Sequence, residues 1–380
     1  MSELALTPAV GRLLTEERRG AWLVIGAWFV ATRALVFAAT AGLDALGPHR
    51  WRFGPHQLDG FAPLASWDGL WYRDIAAHGY LVIPGRYSDT AFFPLYPMLL
   101  HVLEALGLGG RTAGIVLSNA LFALALLALY ELSCHWLPET DARRAAIAAT
   151  LLPMGLVFSM AYPEALALLL IVVAALLARR ERWLACAAVA AGAVLTRPEA
   201  LFVMLPVAAA VRAAWPAAAA GQRGRALAAI ASAPVAFGSF LAYLSWVTGD
   251  PRAWFHAERA WGRSFTLHGP FRAIDHFFLH PSRDPWLWRD LAFLLIYLGL
   301  TFVASRAGAP RSWIAAGALI LLLPLGSGTV QSIGRFGLLA VPVYWGLAVL
   351  ARRPWISRIL VAAGLVLLAG SVFSLAATFP

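Results

Sequence analysis

The 380-residue chain is 61% hydrophobic and only 13% charged, whereas a soluble domain carries about a quarter of its residues charged. Apolar runs of roughly 15 to 25 residues recur along its whole length, so it reads as an all-α polytopic membrane protein, and the lack of alternating strand-length segments excludes a transmembrane β-barrel. Its net charge of +10 rests on arginine alone among the long basic side chains; many arginines fall in short links between apolar runs, where orientation and anionic lipid account for them without nucleic acid.

Residues 1–20 are polar and end in Glu16-Glu17-Arg18-Arg19, a cytoplasmic start. A first span is predicted at about 21–43; it is long and lacks a small-residue exit, so it is retained and not cleaved as a signal. Arg33 near its middle costs roughly 2.5–3.5 kcal/mol to insert and is expected to face the interior and meet an acid or a phosphate. Residues 44–91 form a long polar loop, expected outside. Residues 92–107 are apolar but begin with Pro94 and Pro97 and carry His101 and Glu104. They are predicted as a short interfacial or re-entrant helix that does not cross.

Further spans are predicted at about 112–135, 145–161, 164–179, 183–196, 199–215, 226–248, 290–306, 312–326, 337–351 and 356–378. With 92–107 not crossing, the basic links Arg143-Arg144, Arg179-Arg180 with Arg182, Arg212 with Arg223 and Arg225, Arg306 with Arg311, and Arg352-Arg353 all fall inside, as the positive-inside rule asks. The result is eleven spans in one membrane domain over 1–380, N-terminus inside and C-terminus outside. Cys134 and Cys186 lie in apolar runs and read as unbridged core residues.

That topology gathers the chemically unusual segments on the outer side. The first is Ser66-Trp67-Asp68-Gly69-Leu70-Trp71-Tyr72-Arg73-Asp74 with the residues to Tyr80. The short turns Tyr162-Pro163-Glu164, Thr196-Arg197-Pro198-Glu199 and Ser332-Ile333-Gly334-Arg335-Phe336 join it, as does a second outer loop, 249–289, with Glu258, Trp261 and Arg263. Asp68 has the chemistry of a general base for a sugar hydroxyl; as an Asp before a helical run it equally suits an N-cap. Asp59, Asp74 and Asp89 are the loop's other acids. Arg197, Arg335, Arg263 and Arg73 are candidate phosphate ligands, since a planar guanidinium grips phosphate bidentately. Trp67, Trp71, Tyr72 and Tyr162 are candidate sugar-stacking or interfacial aromatics, and Glu164 and Glu199 candidates to orient arginines or bind sugar hydroxyls. Metal signals are weak: His276 and His280 share helical spacing, but no D-x-D, H-E-x-x-H or cysteine cluster occurs, nor any nucleotide-binding glycine loop.

The run Trp67-Asp68-Gly69 through Gly79-Tyr80, followed by Phe92-Phe93-Pro94-Leu95-Tyr96-Pro97, resembles the PIG-V family, the glycosylphosphatidylinositol mannosyltransferase II group and its bacterial relatives. Looser matches follow in order at Tyr162-Pro163-Glu164, Thr196-Arg197-Pro198, Gly249-Asp250-Pro251 with Trp261-Gly262-Arg263, and Gly334-Arg335-Phe336, where the family often has Arg-Tyr. The resemblance implies a GT-C-type bundle with a long first extracytoplasmic loop. It implies a glycosyltransferase that takes mannose from a polyprenyl- or dolichyl-phosphate donor on the extracytoplasmic face, without a metal. The key acid maps onto Asp68. The acceptor is a lipid, glycan or protein hydroxyl. An arginine-only, alanine-rich chain points to a bacterial plasma membrane. A lipid-sugar flippase and a non-catalytic subunit of a glycosylation complex are the rival readings; a flippase should show inverted repeats, and the sequence has none.

Overall fold

Leu-, Ala- and Val-rich runs become helices in hydrocarbon because a helix satisfies its own backbone. In the computed structural model, which describes residues 16–45, 61–81, 88–279 and 284–375, the regular elements are helices, and no strand occurs among the described residues. The helices are greasy outside and selectively polar inside. Leu23, Val30, Trp246, Phe302 and Val366 are exposed, while Thr32, Glu164 and Asp290 are fully buried. That inversion suits lipid as the surrounding solvent.

Helix α1 is Glu16–Ala45, and α2, the helix of the first loop, is Asp68–His78. Next come α3, Leu95–Ala105, and α4, Gly110–Ser133. Arg18 at the start of α1 pairs with Glu131 at the end of α4, so those two termini share one end of the bundle. The same end holds Asp141, which opens helix α5 (Glu139–Leu151) and pairs with Arg144 at 2.6 Å and Arg352 at 2.7 Å.

The opposite end carries α2. Helix α3 lies across that end: Leu95 N–H donates to the Leu195 carbonyl at its start, His101 Nδ1 meets the Ala76 carbonyl, and the Glu104 carboxylate sits beside Gly110, where α4 begins. Both termini of α3 therefore stay at one end of the bundle, as a helix that does not cross must.

From α5 the chain turns through the tight segment Pro153–Ser159 into α6, Glu164–Arg179, with a 94° bend. Pro153 and Pro163 remove amide donors where the path breaks. Helix α7, Trp183–Val194, returns towards the α2 end. The turn Pro198–Val203 leads into α8, Met204–Ala214, and α9 is Ala220–Thr248. Small residues let α9 lie close on α7: Ala226, Ala229, Ala233 and Ala236 form its buried stripe.

Two short helices follow, α10 (Ala253–Ala260) and α11 (Gly269–Phe278), then α12 (Pro285–Arg306) and α13 (Arg311–Gly326). A single turn, α14 (Ile333–Phe336), precedes α15 (Val341–Leu350) with an 86° bend, and α16 is Pro354–Ser374. Gly346 of α15 rests on α12 so closely that a Cβ there would stand 2.1 Å from the Leu300 carbonyl oxygen.

Among the described residues, six helices are long and apolar enough to cross a membrane, or up to eight if each bent pair is one span. The sequence expectation of eleven counted helices such as Trp183–Val194 and Arg311–Gly326, which are apolar but short. The second loop is also shorter than expected, because α12 starts at Pro285 and not near 290. Proline at the first helical position supplies that start, a signal that hydropathy does not register. Among the described residues Arg33 pairs with no acid. It donates to the Gly155 carbonyl at 2.9 Å, Ser159 Oγ at 3.0 Å and the Thr150 carbonyl at 3.3 Å, and lies over the Phe122 ring. The broken helix before α6 leaves carbonyls without helical partners, and the arginine takes them up. Both cysteines are free thiols. Asp59 and His280 lie outside the described residues, as does the His276 side chain.

Candidate active site

The backbone ahead of Asp68 is unusual. Trp67 has φ 56° and ψ −125°, in the left-handed half of backbone space that bulky side chains rarely enter. It stands in the N-cap position of α2 without a side-chain cap, and Asp68 is the first helical residue. The Asp68 N–H is taken by Tyr162 Oη at 3.0 Å. Asp68 stands one residue past the N-cap, and its carboxylate reaches across the bundle to Arg335 Nη1 at 2.5 Å. The helix-cap reading of Asp68 does not hold.

Three arginines converge behind it. Arg197 takes Glu199 bidentately, through Nε and Nη2 at 3.1 Å each, and its Nη1 is 3.1 Å from Glu164 Oε1. Arg335 Nε is 3.4 Å from the same Glu164 oxygen. Arg263 pairs with Glu258 at 3.4 Å. The guanidinium carbons of Arg197, Arg263 and Arg335 stand 4.8, 5.2 and 5.3 Å from the centre of the Phe336 ring. Phe336 is thus an apolar post holding three cations in one arc. Four carboxylates (Asp68, Glu164, Glu199, Glu258) balance these three cations with one negative charge to spare. Burial pushes the Glu258 carboxyl up from its ordinary range, and Arg263 opposes that shift.

These groups surround one cavity of about 560 Å³. Asp68, Arg197, Glu199, Glu258, Arg263, Gln331 and Arg335 supply its polar wall, and Trp67, Trp71, Tyr72 and Trp261 its aromatic wall. Trp71 is held in place by stacking on Phe92 at 5.8 Å and by the edge of Trp261 at 5.7 Å. Such a chamber offers a flat apolar surface for a sugar ring, cations for a phosphate and a carboxylate for a hydroxyl proton.

The sequence candidates divide into three groups. Asp68, Arg197, Arg263, Arg335, Trp67, Trp71, Tyr72 and Glu199 share the cavity wall. Tyr162 and Glu164 are fully buried behind it: Tyr162 Oη meets the Asp68 N–H, and Glu164 meets Arg197 and Arg335, the arginine-orienting one of the two roles expected of it. Arg73 points elsewhere: with Asp74, His78, Glu104 and Arg111 it lines a separate pocket of about 250 Å³. A helix repeats every 3.6 residues, so Arg73, five positions after Asp68, leaves the face that Asp68 occupies. Among the described residues no group of three or more His, Cys, Asp or Glu side chains is arranged to hold a metal ion.

No family model matches this chain. No curated protein matches it either, so the PIG-V resemblance rests on its motifs alone. Solved structures of modest likeness do exist. One is the archaeal oligosaccharyltransferase AglB from Archaeoglobus fulgidus in complex with an inhibitory peptide and a dolichol-phosphate, at 15% identity over 92% of this chain and 55% of that chain, with a TM-score of 0.45. Another is the A. fulgidus oligosaccharyltransferase tethered to an acceptor peptide with an NVT sequon, at 14% identity, 92% and 55% coverage and a TM-score of 0.43. This chain spans about half the length of those it resembles.

Two contributors to the site escaped the sequence reading. Phe336 counts in the sequence only as part of a motif, and nothing in one dimension marks an aromatic that its neighbour Arg335 shares with two distant arginines. Asp290 was missed although a signal existed, an acid within an apolar helix. It is fully buried, and its carboxylate accepts the N–H groups of Ser332 at 2.7 Å and Gly334 at 3.4 Å.

Proposed function

We propose that the chain is an integral-membrane glycosyltransferase of GT-C type that transfers mannose from a polyprenyl-phosphate mannose donor to a hydroxyl of a lipid or glycan acceptor. The observation that carries this reading is the single cavity in which Asp68 stands beside Arg197, Arg263 and Arg335 under an indole wall, at one end of a lipid-facing bundle. The donor's isoprenoid tail lies in membrane lipid and its phosphate among the arginines. Asp68 takes the acceptor hydroxyl proton as the oxygen attacks the anomeric carbon. The bond from that carbon to the phosphate oxygen breaks with inversion, and the phosphate leaves with the electron pair, held by charge-assisted hydrogen bonds. The site faces the extracytoplasmic side of a bacterial plasma membrane.

The Asp68–Arg335 pair has a part in this sequence. The Asp68 carboxylate is bound to the Arg335 guanidinium. A donor phosphate competes for the same guanidinium, so donor binding frees Asp68 for the acceptor.

The test is transfer of radiolabelled mannose from polyprenyl-phosphate mannose into host lipid and glycan extracts by membranes carrying wild type or Asp68→Asn. Removing a general base costs about 10²–10⁴ in rate, so the variant should lose nearly all transfer at equal expression. Equal transfer by both would end the reading of Asp68 as base. No step is routed through a metal, so EDTA in the assay should leave the wild-type rate unchanged; loss restored by a divalent cation would overturn that part.

A further inference from the structure

Three residues among those described have positive φ without being glycine: Trp67, Glu181 and Ser332. Two of them flank the same ion pair. Trp67 immediately precedes Asp68, and Ser332, at φ 67° and ψ 12°, stands three residues before Arg335. Left-handed backbone at a residue that disfavours it persists only where its surroundings hold it. At Trp67 part of that hold is the Tyr162 hydroxyl on the next N–H. At Ser332 it comes from α12.

One face of α12 cradles the turn. Asp290 Oδ2 accepts the Ser332 N–H at 2.7 Å, and Oδ1 faces the Gly334 N–H at 3.4 Å. One helical turn on, Phe293 lies so close that a Cβ on Gly334 would be 2.6 Å from its ring. One turn further, Tyr297 Oη donates to the Gly334 carbonyl at 3.1 Å. The peptide units that lead into Arg335 are held at their N–H groups by Asp290 and at the Gly334 C=O by Tyr297, with the Phe293 ring packed between, three residues spaced to share one helix face.

We propose that Asp290 is the positioning residue for Arg335: its carboxylate holds Ser332 in the left-handed turn that aims the guanidinium at Asp68 and the cavity. Its importance for catalysis rests on the glycosyltransferase reading, but its action on the turn does not. Asparagine is the informative replacement. It keeps the shape, but one oxygen becomes an amide that presents donors to a donor. Glycine at 332 is the informative rescue, because it adopts the left-handed region without cost and makes the hold unnecessary.

The test reads the turn without any substrate. Asp68→Cys and Arg335→Cys are placed in a chain with Cys134→Ala and Cys186→Ala, and joined by a short bifunctional thiol reagent in purified, detergent-solubilised protein. Asp290→Asn should lower the cross-linking rate about tenfold, the scale of one or two buried hydrogen bonds. Adding Ser332→Gly should return it to within about threefold of the parent, with no change in elution on gel filtration. Unchanged cross-linking in Asp290→Asn overturns the proposal, and so does a loss that Ser332→Gly does not restore, since Asp290 would then act through packing or its pair with Arg289. If Asp290→Asn is not recovered as a monodisperse protein, Ser332→Val replaces it; a branched residue raises the cost of the turn with Asp290 intact, and unchanged cross-linking there refutes the idea. In the transfer assay Asp290→Asn should lose activity and the double variant regain it. Failure of that assay with the cross-linking pattern intact would count against the proposed reaction, not against Asp290.

Discussion

Arg197 is the residue on which the site's charge balance turns. It serves Glu164 and Glu199 together, and all three side chains are buried. Removing the cation strands Glu199 and leaves Glu164 only Arg335 at 3.4 Å, and breaking a buried pair costs about 3–5 kcal/mol. Arg197→Met should therefore lower the thermal midpoint of the purified protein sharply, and adding Glu164→Gln with Glu199→Gln should recover much of the loss, since coupled partners are not additive. A full loss in the triple variant would show that packing, not charge, held the site. Glu258 sets a pH dependence. Its carboxyl is raised by burial, so it is neutral below its folded value and anionic above. The stability it contributes is complete below the ordinary Glu range and is lost as pH rises through the raised value. A neutral Glu258 leaves the cavity's cations in balance with its anions, which favours a phosphate. Donor KM should rise as pH climbs through that window, and Glu258→Gln should flatten the rise; an unaltered profile in the variant would remove Glu258 from the explanation. Tyr162 and Asp68 show what could be read at this scale. Both residues stood out in sequence, but only the fold made one the acceptor of the other's N–H and turned the Asp68 carboxylate to Arg335.

At the scale of elements, the site is made where helices stop. Glu164 opens α6 after a bend, Arg197 precedes the turn into α8, Asp68 opens α2, and Arg335 sits in the one-turn α14 before another bend. Irregular backbone at membrane depth is tolerated where protein buries it, and the Pro-containing short turns in the sequence did mark those places. The packing between elements was less legible. The α12–α15 contact depends on Gly346 lying against the Leu300 carbonyl. Gly346→Val has no room there, and overpacking costs about 1–3 kcal/mol. The thermal midpoint should fall while, for the proposed reaction, the residual folded protein keeps its donor KM. A variant as stable as wild type would mean that the two helices can separate freely.

Across the whole molecule, the two ends differ in chemistry. One carries Asp141 paired with Arg144 and Arg352, and Arg179 at a helix end; the other carries the cavity. By the positive-inside rule we propose that the cavity faces outside. In a chain lacking Cys134 and Cys186, His78→Cys should react with an impermeant maleimide on intact cells, and Arg180→Cys only after permeabilisation. The reverse pattern would turn the molecule over and forbid an extracytoplasmic site. The sequence by itself determined the membrane class, the helical content, the end of the bundle where unusual residues gather, and most of the cavity's polar wall. Periodicity, hydropathy and arginine placement are local, so a linear reading captures them. The tertiary structure alone decided that Asp68 pairs with Arg335, that Arg73 leaves the site, that Arg33 binds backbone carbonyls, and that Asp290 sits under the Ser332 turn. Each of these joins segments far apart in the chain or depends on which way a side chain leaves its helix, and neither is written in the spacing of residues.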